Sequence, residues 1–162
     1  MSDTHYTLNP IGRVVVGDDG FALAIDEAYR PALTELEGFS HINVLWWAHH
    51  LDEPSFREMT IAERAYRDAP AQIGIFATRS PARPNPIALT AVAVISIDID
   101  SGLVTIPYLD AENDTPILDI KPYHPSVDRI REVQTPQWCA DWPQWYEDSA
   151  TFDWGAVFEN AQ

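Results

Sequence analysis

Ile87-Ala88-Leu89-Thr90-Ala91-Val92-Ala93-Val94-Ile95-Ser96-Ile97-Asp98-Ile99 runs into Asp100-Ser101-Gly102 and then into Leu103-Val104-Thr105-Ile106-Pro107-Tyr108. Apolar residues recur at every second position through Leu89, Ala91, Ala93, Ile95, Ile97 and Ile99, which is the period of a strand, and Asp-Ser-Gly is turn chemistry. The stretch predicts one long strand, a tight turn and an antiparallel partner. Upstream, Pro10-Ile11-Gly12-Arg13-Val14-Val15-Val16, ending at Gly17-Asp18-Asp19-Gly20, predicts another strand and turn. Phe39 to Leu51 predicts a long, bent, mostly buried strand with Trp46 and Trp47 on opposite faces. Helical signals are sparse: one short segment over 26–37, interrupted by Pro31 and closed by Gly38, and a pattern at Val127, Ile130 and Val133. The expected fold is mainly β, a single antiparallel β-barrel-like domain with a few short helices. No glycine-rich strand-to-helix turn is present in the sequence, which excludes a Rossmann arrangement.

The chain has 162 residues, 46% of them hydrophobic, enough for one core. One domain over 1–162 is expected, with 125–162 an acidic, aromatic extension packed on it or on a partner subunit. Residues 132–162 hold six acids and no Lys or Arg, so that segment is no phosphate-binding arm. A single cysteine, Cys139, fits a reducing cytoplasm, and no apolar run approaches the roughly 20 residues that span a bilayer. Neither a membrane nor a DNA partner is expected. His41, His49 and His50 are spaced so that three imidazoles do not share one face, so no metal site is expected.

The net charge is -15, from 10 basic and 25 acidic residues. Such a balance argues against tight nonspecific binding to nucleic acid. Yet the window 57–83 carries Arg57, Arg64, Arg67, Arg79 and Arg83 against Glu58, Glu63 and Asp68, a local charge of +2. Within the same window Ile73 to Thr90 breaks from an apolar run into a polar loop punctuated by Pro81, Pro84 and Pro86. The prolines fix φ and extend the residues before them, so Arg79, Arg83 and Asn85 are presented on a stiff frame. Guanidinium forks there suit a carboxylate or phosphate. A solvated Pro-rich connection is the competing reading from spacing alone, and a solvated helix face is the competing reading of the arginines at 57–67.

Gly74-Ile75-Phe76-Ala77-Thr78-Arg79-Ser80-Pro81, Arg83-Pro84-Asn85-Pro86-Ile87 and Asp114-Thr115-Pro116-Ile117-Leu118-Asp119-Ile120-Lys121-Pro122-Tyr123 closely resemble the TsaA-like or TrmO family. Tyr29, Ala32-Leu33 and Gly38 to His49 fit the same family, so the resemblance runs from about Pro10 to about Asp128. It implies an S-adenosylmethionine-dependent tRNA methyltransferase acting on the exocyclic amine of a threonylcarbamoylated adenosine beside the anticodon. It further implies a homodimer with the cofactor held by loops. Cofactor contacts are expected at His49, His50, Arg79, Leu89, Glu112, Asn113, Asp114 and Thr115. Acceptor contacts are expected at Arg64, Arg67, Arg83, Asn85, Asp119, Lys121 and Tyr123.

The chain departs from the family in two places. Asp18-Asp19-Gly20 replaces a Pro-Arg-Gln wording after the first strand, and Asn113-Asp114 replaces Asp-Gly before Thr115-Pro116, where glycine would tolerate positive φ at no cost. Asp119 and Lys121, flanking Ile120, also read as a structural ion pair. Two further function classes stay open beside the tRNA enzyme: a methyltransferase of a small molecule, consistent with the acidic balance, and a ligand-binding or interaction module without catalysis.

Overall fold

The computed structural model describes residues 6–18 and 20–159. Its strands are β1 (Gly12–Gly17), β2 (Gly20–Ile25), β3 (His41–Trp47), β4 (Ile61–Glu63), β5 (Gln72–Gly74), β6 (Ile87–Ala93), β7 (Ser96–Asp98), β8 (Leu103–Ile106) and β9 (Pro116–Pro122). The α-helices are single turns, α1 (Pro54–Arg57), α2 (Pro125–Asp128) and α3 (Trp154–Val157), joined by 3-10 turns. No helix among the described residues is long and apolar enough to cross a membrane. The chain forms two compact units, residues 1–53 with 85–129, and residues 54–84 with 130–162.

In the first unit a seven-stranded sheet has the order β6-β3-β9-β1-β2-β8-β7, every neighbouring pair antiparallel. Alternation puts Val14, Leu23, Ile42, Val44, Val104, Ile106 and Ile117 on one face, each at most 1% exposed. Burying each such side chain stabilises the fold by about 1.5–3 kcal/mol. β1 and β2 approach closely at Gly12, where an added Cβ would clash with the Ala24 carbonyl oxygen.

The antiparallel, mainly β architecture is as expected, but the long strand is not. Residues 87–98 divide into β6 and β7, which form the two edges of the sheet. Consecutive amides change partner: Val94 N–H donates to Ser40 O at 2.9 Å beside β3, and Ile95 N–H donates to Thr105 O at 2.9 Å in β8. The ladder is therefore not a closed barrel; one run of chain supplies both of its edges. The face also switches at this break. In β6 it is Val92 that is buried, at 1%, while Leu89 is 47% exposed and Ile95 62%; past the break, Ile97 and Ile99 pack on the core. Both rows of the run are apolar, so periodicity does not select the inward one; the register Ile42↔Val92 does.

Other boundaries move as well. β3 ends at Trp47, and His49–Leu51 is a 3-10 turn. Trp46 is buried at 9% and donates from Nε1 to Thr90 Oγ1 at 3.1 Å, whereas Trp47 on the other face donates to Asp52 Oδ2 at 3.0 Å. The segment 26–37 becomes two 3-10 stretches, Glu27–Leu33 and Leu36–Gly38, separated by Glu35 at φ 67°. The helical pattern after Pro125 stops after one turn, and Val127, Ile130 and Val133 are 80%, 71% and 60% exposed. Without an apolar face to cover, periodicity alone does not sustain a helix.

The second unit is built on an aromatic hub. β4 pairs with β5, and Tyr66, 9% exposed, lies just beyond β4. Its ring stacks on Trp138 with centroids 5.2 Å apart, meets Trp142 edge-on at 5.0 Å and contacts Phe158 at 5.5 Å. Trp154 joins through Trp142 at 5.5 Å. The backbone closes the same contact, with Arg67 N–H donating to Val157 O at 3.0 Å and Glu159 N–H to Ala65 O at 3.3 Å.

Candidate functional site

β3 delivers the first part of the site. Ala48, 8% exposed, donates its N–H to Pro86 O at 2.8 Å, and the chain then turns so that the rings of His49 and His50 lie 3.8 Å apart. His50 Nε2 reaches Glu112 Oε2 at 3.0 Å, a full ion pair when the imidazole is protonated. This contact ties the end of β3 to the loop before β9. His49 Nδ1 is buried and has no hydrogen-bond partner among the described residues. Such an orphaned polar atom is costly, and a ligand that bonds it would remove the cost.

The Glu112–Thr115 loop is locked from within. Asp114 N–H donates to Val14 O at 2.9 Å, Val14 N–H to Thr115 O at 2.9 Å, and Thr115 N–H to Glu112 O at 3.2 Å. Thr115 is only 2% exposed. The Asn113 amide accepts from Val16 N–H at 3.0 Å and donates to Asp114 Oδ2 at 2.9 Å. Asp114 takes φ 64°, the conformation a glycine would supply, and its carboxylate meets Arg13 Nε at 3.3 Å. This turn accommodates Asp114 because Asp tolerates the left-handed region better than most residues and has a partner there. Leu89 lies on β6 opposite Leu45.

A nucleoside-type cofactor fits this donor set. The Glu112 carboxylate, with its side chain 77% exposed, accepts from hydroxyl or ammonium groups. His49 Nδ1 offers a second polar contact, while Asn113 and Asp114 already hold the loop in shape.

The remaining sequence-derived residues fall in separate places. On β9, Lys121 Nζ sits 2.6 Å from Asp119 Oδ2, the expected ion pair. Tyr123 lies edge-on to His41 at 6.4 Å, and Asn85 O accepts from Ile87 N–H at 2.7 Å. Arg64, Arg67, Arg79 and Arg83 belong to the second unit. There the reading of the 57–67 arginines as one helix face gives way to α1 followed by β4. Arg64, at φ 44°, pairs with Glu159 at 3.3 Å.

The proline loop is pinned by Thr78, 7% exposed, whose Oγ1 donates to Ile75 O at 2.8 Å and accepts from Ser80 N–H at 3.2 Å. Arg79 is exposed, and its backbone N–H donates to the Tyr66 hydroxyl. Tyr66 is the residue that sequence reasoning missed. Its only signal was a lone aromatic between Arg64 and Asp68.

Residues 8–129 match the family described as the tRNA-methyltransferase O N-terminal domain. The chain belongs to that family. The tRNA-methyltransferase O family match ends before the aromatic residues that surround Tyr66, from Trp138 to Phe158. An S-adenosyl-L-methionine-binding protein of Archaeoglobus fulgidus is 32% identical over 115 residues, covering 71% of this chain and 77% of that protein. The tRNA (adenine(37)-N6)-methyltransferase of Escherichia coli is 36% identical over 104 residues, 63% of this chain but only 43% of that protein. A crystal structure titled TrmO superimposes with a TM-score of 0.64 at 22% identity, covering 82% of this chain and 64% of its own, and shares the fold.

Proposed function

We propose that this tRNA-methyltransferase O family chain binds S-adenosylmethionine and methylates the exocyclic amine of adenine in tRNA, at a threonylcarbamoylated adenosine beside the anticodon. The observation that carries the reading is the 3.0 Å contact of His50 with Glu112, which joins two segments of the family motif beside the unpartnered His49 Nδ1. The relatives named for S-adenosylmethionine binding and for tRNA methylation support it.

S-adenosylmethionine supplies a methyl group on a positive sulfonium, so an amine can attack with its lone pair and release its proton afterwards. The chain's task is placement. Glu112 accepts hydrogen bonds from the cofactor's hydroxyl or ammonium groups, His49 bonds it through Nδ1, and the turn locked by Asn113, Asp114 and Thr115 keeps Glu112 in position. Arg64, Arg67 and Arg83 serve the acceptor, in the cytoplasm.

The cofactor site belongs to a homodimer. Supporting this, Leu89 and Ile87 are 47% and 37% exposed on β6, in register with Leu45 and Trp47 of β3. Such an apolar row on a sheet face is what a second subunit covers.

A small-molecule acceptor is the second reading, favoured by the net charge of -15 and by the engagement of Arg64 with Glu159. Calorimetry with S-adenosylmethionine and mass analysis of nucleosides from tRNA incubated with the chain separate the two. Saturable cofactor binding with methylated adenosine supports the tRNA enzyme, and binding without it transfers the assignment to a small acceptor.

A further inference from the structure

Phe76 is 78% exposed, although the residue before it, Ile75, is buried at 2% in the same 3-10 turn. The turn is not a frayed loop. Ile75 N–H donates to Thr60 O at 2.9 Å, and Thr78 N–H donates to Ile75 O at 3.1 Å. The ring is therefore displayed on a held backbone. So large an exposed aromatic adds little to the fold through burial, and its turn needs no ring to form.

Arg83 supplies the second half of the surface. Its guanidinium carbon stands 5.9 Å from the Phe76 ring centroid, within cation–π range, and its Nη1 donates to Ser80 O at 3.4 Å. Arg57 steadies the same loop by donating from Nε to Pro84 O at 3.1 Å. An aromatic ring and a guanidinium plane are the two side-chain surfaces on which unpaired nucleobases stack.

We propose that Phe76 and Arg83 form a stacking platform for an unpaired base of the RNA acceptor. The proposal rests on the tRNA reading above and specifies how that acceptor is gripped. Every base has a π-face, so the platform contributes affinity and orientation rather than sequence choice.

The probe is an anticodon stem-loop RNA carrying 2-aminopurine in its loop, titrated with the full chain at low salt, with stacking read as fluorescence quenching. Phe76→Ala should lower affinity about tenfold and abolish quenching, Phe76→Tyr should restore both, and Phe76→Leu should not. Affinity for S-adenosylmethionine should be the same in all of them. If wild type binds the RNA and Phe76→Ala or Phe76→Leu binds equally well, the platform is refuted while the tRNA reading stands. If wild type neither binds the RNA nor methylates tRNA, the acceptor reading falls and takes the platform with it. A switch from dimer to monomer mass in Phe76→Ala assigns the ring to a second copy, and lost cofactor binding assigns it to the methyl-donor site; either overturns the proposal. Should Phe76→Ala fail to fold, the Tyr and Leu variants decide by the same criteria.

Discussion

The backbone N–H of Arg79 donates to the phenolic oxygen of Tyr66, so the proline loop is anchored to the aromatic hub of the second unit. Burial pushes the Tyr66 hydroxyl above its ordinary range, more than this bond draws it down, and Cys139 adds to the rise. A group whose folded pKa is raised contributes stability that is fully present below its unfolded pKa, about 10, and is lost as pH climbs through the folded value. The second unit should therefore loosen in alkali. Thermal melts of wild type above pH 10 should fall faster than those of Tyr66→Phe; parallel curves would show that this hydroxyl is not what titrates. At neutral pH, Tyr66→Phe should cost about 1 kcal/mol through the lost bond.

Glu112→Gln removes the charge that meets His50 at 3.0 Å without disturbing a buried group. Affinity for S-adenosylmethionine should drop about tenfold, as expected for loss of a charge-assisted bond, with an unchanged melting temperature. Unaltered calorimetric affinity would remove this loop from the cofactor site.

Asp114 occupies φ 64°. Glycine relieves that conformation, and the exposed contacts with Arg13 and with the Asn113 amide that it forfeits are worth little. Asp114→Gly should stabilise the chain and Asp114→Ala should destabilise it, each by about 1 kcal/mol. Denaturant melts that rank alanine above glycine would contradict the account of this turn.

Leu89→Asp places a charge on the outward row of β6, where the side chain is already 47% exposed. Light scattering should report a monomer while the melting temperature of the first unit holds. A dimer of unchanged mass would exclude this face as the interface.

The β-branched run of 10–16 and the apolar, aromatic run of 39–51 sufficed to predict strands there, and the Asp-Ser-Gly turn before β8 was legible because Gly102 supplies its φ of 75°. The proline loop and Glu112–Thr115 stand out in the sequence through their resemblance to the family motifs. Local residue types and short periods carry such information because strands and turns depend on near neighbours. Three features depend on residues far apart in the chain. Residues 87–98 feed both edges of the sheet, and Val92 rather than Leu89 faces inward, because β3 and β8 compete for successive amides. His50 meets Glu112 across 62 residues of sequence. Tyr66 gathers Trp138, Trp142 and Phe158 while bonding the Arg79 backbone. No local pattern encodes these pairings; they exist only where folding sets the register and brings distant side chains into contact.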